Sequence, residues 1–517
     1  MIRECLLSFT ICRRLNSIAR VQLSSLRRIF RLTETIVVIA FVGCSIAVAQ
    51  DTVGSVLGQP TLQKYINVGG GVDEINVGDL TIHLSIPLAS KGSYGPLVQV
   101  SLDMDSRTYR YNYNNGNGDQ IFTGGNFELR STTRLSAGGV GEISGSCTSQ
   151  PPPQGILYGA YDGTGTFHPA GVVVNGCTAA YGAPSSDGWA LAGALENPGN
   201  GFLDVIAEIY APSGDHAGFP NFQNSSPCLL YGVQDLHGNS TSDTLCYTFN
   251  TSGNLTGASG SITDAAGNTV LSASIPTGTS NEVSLAYPGP NGTTPAYTLF
   301  YTPMVVNQDF GCGLTVPPQT TTPILTKIAN PDGSTESFTY ESNGLHAGTI
   351  TGRLKSVKTA TGATFAYTYT GGTHGVNCSD GTASGITKVT PDGTWKITHT
   401  AYSGAANLST TKVVAPSGDY TVDTISTVPP DPKTWVIPQM STVASLSYAS
   451  TGTLLASTYS CYNGYHPSSP TACGSPVTAP AFPVNEIDTW TYVPGIANPA
   501  LNVTVLDSSS RVTDTYT

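Results

Sequence analysis

Two aspartates lead the residues whose spacing could do chemistry. Asp103 and Asp105 are two apart in an extended run and lie close to the loop Asn112-Tyr113-Asn114-Asn115-Gly116-Asn117-Gly118-Asp119. Oxygen ligands so spaced suit Ca²⁺, with Asp119 as a third donor. A solvated hairpin tip has the same letters, and two acids could also serve a glycosidase if correctly separated. Trp189, Trp395 and Trp435, among 25 tyrosines, are candidate platforms for stacking on sugar rings. Core packing and cross-strand pairing are the commoner uses of such aromatics.

The histidines (His83, His168, His216, His237, His346, His374, His399 and His466) are scattered, without the spacing of a zinc site. No nucleophile elbow or phosphate-cradling loop is present. No catalytic residue and no organic cofactor is therefore assigned, and the chain reads as a scaffold or binding module more than as an enzyme.

The N-terminus reads as an export signal. Arg3, Arg13, Arg14, Arg20, Arg27, Arg28 and Arg31 form a basic region, Ile36 to Ile46 is apolar, and Ala47-Val48-Ala49 supplies a small-x-small cleavage pattern. The apolar stretch is short for a membrane span, so the mature chain is expected to have none and to be secreted or surface-held. Cleavage removes seven Arg and two acids, a net +5, so the formal charge goes from −12 to −17. Such an acidic surface disfavours nucleic acid and anionic lipid as partners.

Eight cysteines remain, an even number suited to disulfides in an oxidising compartment. Sequence leaves the pairing open. The preferred pairs are Cys461–Cys473, Cys228–Cys246 and Cys147–Cys177, each closing a short loop, with Cys312–Cys378 remaining.

The elements that must position these residues are strands. Only 11% of residues are charged, against 58 glycines and 34 prolines. Leu80, Ile82, Leu84, Ile86 and Leu88 alternate with mostly polar neighbours, Gly92 to Pro96 is a turn, and Val98, Val100, Leu102 and Met104 alternate again. This is a hairpin with one buried face, His83 lying on the other. From Leu229 onward a loose repeat alternates strands with Gly turns, as in Tyr247 to Thr256, Ile262 to Val270, Pro331-Asp332-Gly333 and Pro391-Asp392-Gly393. Degenerate copies run from Gly352 to Tyr369, at Ala415 to Gly418 and from Tyr448 to Tyr459. A hairpin of this kind cannot bury its face alone, so neighbours must stack.

Tyr247 to Thr256 resembles the repeat of the YD-repeat (RHS) family of secreted bacterial proteins, with Asn250 where Asp is usual. Asn76-Val77-Gly78-Asp79-Leu80 through Ile86-Pro87-Leu88 is similar to an element that opens large members, and Leu501 to Thr517 resembles a further repeat cut short. The resemblance implies a long antiparallel sheet spiralling into a hollow shell, which in some members encloses a C-terminal toxin, and some members are associated with carbohydrate binding. The family's core segment after the repeats and a C-terminal effector are missing from this sequence.

The expected fold is all-β, with antiparallel hairpin repeats forming an extended, curved or partly shell-like sheet. The expected organisation is a signal peptide (1–49), an N-terminal β domain (50–115), a Gly/Ser/Tyr-rich β region (116–226), hairpin repeats (227–460), and a cysteine loop with a truncated repeat (461–517). The expected function is an exported scaffold binding carbohydrate or protein. An extracellular polysaccharide hydrolase and the N-terminal shell fragment of a toxin-delivering protein are the alternatives.

Overall fold

The computed structural model describes residues 64–92, 94–106, 110–111, 120–121, 127–140, 157–161, 167–171, 174–175, 178–179, 190–196, 204–211, 213–218, 231–313, 319–378, 383–401, 408–428, 439–463, 485–506 and 512–516. These residues are almost wholly β-strand, with one short 3₁₀ turn at Pro290–Gly292. No helix among them is long and apolar enough to cross a membrane.

Strands β1 (Tyr65–Ile66), β2 (Asp73–Asn76), β3 (Ile82–Lys91) and β4 (Val98–Asp105) form an antiparallel sheet in that order, and Glu128–Ser131 pairs on β4 as the fifth strand. The β3–β4 hairpin is the one its two alternating runs require. Ile82, Leu84, Val100, Leu102 and Met104 are all but fully buried. Two details depart from the sequence expectation. Leu80 precedes the strand and has a positive φ of 57°, so it is buried from a turn and not from the alternation. His83, expected on a solvated face, is also buried, because it sits between Glu74 and Asp105 in the neighbouring strands.

A second antiparallel sheet holds eighteen strands, from Ser242–Asp243 to Val512–Tyr516, and from Ser261–Thr263 onward each strand pairs with the next in the chain. One turn recurs through it. At Asp264–Asn268, Asn330–Ser334, Thr359–Ala363, Ala415–Asp419 and Ala449–Thr453, the first residue's N–H donates to the fifth's carbonyl. In each, the N–H of the fourth residue, a glycine, donates to the first's carbonyl. Those glycines have φ of 78–90°, where a Cβ would be strained. The separate hairpin Cys246–Phe249 with Leu255–Ser259 uses the same turn at Asn250–Asn254.

The two Pro-Asp-Gly triplets, alike in sequence, differ. Gly333 belongs to a five-residue turn, whereas Thr390 pairs directly with Gly393 across a two-residue turn. In that tighter turn the Thr390 hydroxyl donates to the Gly393 carbonyl and accepts from the Asp392 N–H. Successive turns also touch. A Cβ on Gly393 would come within 2.6 Å of Pro416, and the Ser450 N–H donates to Asp419 Oδ1.

Because strands alternate in direction, these tight turns share one edge of the sheet. The connections 307–319, 343–349, 370–384 and 463–485 share the other. The turn edge also carries the connections 287–295 and 493–499.

The N-terminal sheet lies against the large one in a single apolar cluster. Ile75, Ile82, Leu84 and Leu102 share it with Ile262, Leu285, Leu299, Leu354, Ile386 and Val413. Ion pairs tie its margins down: Arg134 to Asp243 at 2.7 Å, Lys91 to Asp264 at 2.9 Å, Lys388 to Asp73 at 2.9 Å and Lys64 to Asp423 at 2.6 Å. Lys64 also donates to Ser445, on the fourteenth strand of the large sheet, while Asp243 is on the first. Thirteen steps of ~4.8 Å are about 60 Å, whereas five strands span only about 20 Å. The large sheet is therefore curved around the small one. Along Ile262 to Val413 the concave side is filled, where a shell would be hollow.

Asp264 reports on this closure. Burial alone would raise its carboxyl, but Lys91 and the amides of Asn268 hold it at about 2, below the ordinary 3.8. A depressed carboxylate stabilises the fold above its unfolded pKa and ceases to do so as pH falls through the folded one. Lys91→Met should therefore shift acid unfolding to higher pH, which a pH titration of tertiary fluorescence would show, with little change in stability below pH ~2.

Candidate functional site

On the loop edge, the connections after Ala296–Val306, Thr335–Ser342 and Thr364–Tyr369 converge. Val306 pairs in parallel with Ile350, and the Asn307 N–H donates to the Ile350 carbonyl, bringing the first two loops together. Asn343 locks them. Its Nδ2 donates to the carbonyls of Asn307 (2.8 Å) and Asp309 (2.9 Å), and its Oδ1 accepts from the N–H groups of Leu345 and His346. The third loop is joined covalently by the Cys312–Cys378 disulfide, whose Cα atoms are 5.3 Å apart. Phe310, Val376 and Cys312 form a small apolar cluster of their own beneath it.

The charged groups of this edge fall into two sets. Asp309 Oδ2 meets His346 Nε2 at 2.9 Å, with both side chains about a third exposed. The hydrogen bond to His346 and the Gly311 N–H hold the Asp309 carboxyl below its ordinary range. His374, exposed and with a positive φ of 50°, faces Gly344 and Gly311. Arg353 lies deeper, its side chain 1% exposed. Its Nε donates to Glu341 at 2.6 Å and its Nη2 to the His374 carbonyl at 2.9 Å. The guanidinium is sandwiched between the rings of Phe310 (4.6 Å) and Tyr369 (3.9 Å), a cation–π arrangement that stiffens the base of the loops. The Thr349 hydroxyl donates to the His346 carbonyl, and among the described residues no hydroxyl or thiol is hydrogen-bonded to the His346 imidazole. The Asp309–His346 pair is built to offer hydrogen bonds to solvent or a ligand.

The residues singled out by sequence lie elsewhere. Asp103 accepts from the Ser85 hydroxyl at 2.5 Å, and burial raises its carboxyl. Asp105 meets His83 Nδ1 at 2.8 Å. Burial would lower the imidazole, but the hydrogen bond to Asp105 and the charges of Asp105, Asp103 and Glu74 raise it. Both carboxylates are thus occupied by cross-strand partners, and Asp119 lies outside the described residues. Among the described residues no three His, Cys, Asp or Glu gather as a metal site.

Trp395 faces inward beside Lys388, packed on the core beneath Gly69, so it is not an open platform. Trp189 and Trp435 lie outside the described residues. Tyr420 stacks on its cross-strand partner Tyr448 at 4.8 Å, and Tyr459 packs edge-on against Tyr492, diagonally placed on the neighbouring strand, at 6.0 Å. Cys246 and Cys461 are disulfide-bonded, but Cys147, Cys177, Cys228 and Cys473, with which the short-loop pairs would be made, lie outside the described residues. The sequence reading missed Arg353, Asp309 and His346. Their only signal was the alternation of short and long connections.

The fold defines an all-β protein built on one long antiparallel sheet. No family model matches the chain, and no curated protein matches it in sequence. Among solved structures, a porin-like protein from Bacteroides uniformis is similar at 11% identity and a TM-score of 0.22, over 56% of this chain and 90% of that one. The TcdB2-TccC3 structure without its hypervariable C-terminal region is similar at 10% identity and a TM-score of 0.16, over 84% of this chain and 27% of that one. The complex TcdB2-TccC3-Cdc42 is similar at 10% identity and a TM-score of 0.15, over the same shares. TM-scores this low define no shared fold, and function rests on the chain's own geometry.

If the disulfide organises this edge, its removal should loosen the edge selectively. Cys312→Ser with Cys378→Ser should cost about 2–4 kcal/mol in denaturant unfolding, since the bridge closes a long loop. Hydrogen exchange should show lost protection at 307–313 and 371–378, with the tight turns at 330–334 and 415–419 unchanged.

Proposed function

We propose that the chain is an exported β-repeat scaffold of the YD-repeat kind that binds carbohydrate through the loop edge of its large sheet. The observation that carries this reading is that three loops of one edge are tied together by Asn343 and the Cys312–Cys378 disulfide. Tight glycine turns close much of the opposite edge, whereas the connections 307–319 and 370–384 are linked by Cys312–Cys378. Loops held on a rigid sheet are where binding residues concentrate. Asp309, His346 and His374 supply hydrogen-bonding groups of the kind a sugar hydroxyl takes, beside the 45%-exposed Leu345. The export signal and the disulfide agree with an extracellular setting. The hydrolase alternative needs two facing acids, and the acid pair singled out for it, Asp103 and Asp105, is taken up by Ser85 and His83.

A glycan array tests the proposal. The wild-type chain should retain a defined set of glycans, His346→Ala should lose most of that signal, and Ile496→Asp on the turn edge should keep it. No retained glycan, or equal loss from Ile496→Asp, would overturn the assignment. Release of new reducing ends from a retained glycan would instead support the hydrolase.

A further inference from the structure

Lys388 is the most deeply buried cation described, at 0% side-chain exposure, and Asp73 opposite it is 1% exposed. They come from the two sheets, 315 residues apart. Lys388 Nζ is 2.9 Å from Asp73 Oδ1 and 2.9 Å from Oδ2. An atom equidistant from both oxygens is at most about 3.3 Å from the carboxyl carbon, within the ~3–3.5 Å of reacting atoms poised for attack. The surroundings hold it there. Gly70 O accepts from Nζ at 3.2 Å, the Phe365 ring lies 5.3 Å away, and the Tyr367 hydroxyl lies beside Asp73. A carboxylate and an ammonium so buried each carry a desolvation cost of several kcal/mol.

We propose that Lys388 and Asp73 are joined by an intramolecular isopeptide bond. The step begins with transfer of one proton from Nζ to the carboxylate, and burial raises the Asp73 carboxyl in the direction this requires. The Nζ lone pair attacks Asp73 Cγ, a C–N bond forms, and one C–O bond breaks. The departing oxygen takes one proton from nitrogen and keeps the acid proton, leaving as one water. Nothing is oxidised or reduced. Tyr367 is placed to donate a hydrogen bond to the remaining carboxyl oxygen as charge develops on it. The product removes two buried charges and replaces them with a neutral amide, and the exclusion of water from the site opposes the reverse hydrolysis. β2 would then be clasped covalently to the strand Gly385–Thr390.

Mass spectrometry of the full-length protein as purified, reduced and denatured, decides the matter. Wild type should be lighter than its residues require by one water, whereas Lys388→Arg should have the mass its residues require, whether or not that variant folds. A protease digest of wild type should yield one joined peptide containing both Lys388 and Asp73. A wild-type mass without the loss, with the two peptides recovered separately, would overturn the proposal and leave an ion pair.

Discussion

Burial of the N-terminal apolar face inside the curve of the large sheet is the interaction on which the remainder depends. A sheet has one face to hide and needs a second layer to hide it. Here Leu84 and Leu102 on the small sheet meet Leu299, Leu354 and Ile386 on the large one. Hydrophobic contact is not directional, so the register between the layers has to come from polar pairs. In a chain with only 11% charged residues, eight of them are committed to Arg134–Asp243, Lys91–Asp264, Lys388–Asp73 and Lys64–Asp423. Breaking one such pair leaves a buried charge uncompensated, which penalises a slipped arrangement more than the intact pair rewards the correct one.

The curve in turn shapes the two edges. Turns stack on one edge, as Gly393 does on Pro416 and Asp419 on Ser450. On the opposite edge the backbone groups of the connections 307–319, 343–349 and 370–384 need other partners. Asn343 supplies them for Asn307 and Asp309, and Arg353 for the His374 carbonyl. The loop edge is thus ordered by side chains where the turn edge is ordered by backbone. Exposed residues of the loop edge can therefore change without disturbing the sheet beneath them.

Much of the fold was legible in the sequence because strand period and turn chemistry are local. Ile82, Leu84, Val100 and Leu102 announce the β3–β4 hairpin, and the glycines at 267, 333, 418 and 452 announce their turns. What local pattern cannot carry is which strand lies over which. His83 reads as a surface residue until β2 and β4 are placed on either side of it, and Trp395 reads as a platform until the Gly69 turn is laid over it. Lys388 follows an apparently ordinary Thr387 in a strand, with nothing to mark Asp73 as its partner 315 residues away. Likewise the two Pro-Asp-Gly triplets are indistinguishable as letters, and only Thr390, bonding to both sides of its turn, separates them.

The most direct test of the wrapped arrangement is hydrogen exchange on Leu84→Ala, a core truncation of the kind that costs about 2–5 kcal/mol. Leu84 belongs to the small sheet, yet protection should fall together in 82–105 and across the large-sheet strands from Ser261–Thr263 to Leu408–Val414, while strands beyond Glu486 keep theirs. Loss confined to the N-terminal sheet, with the large sheet fully protected, would contradict the dependence of one sheet on the other.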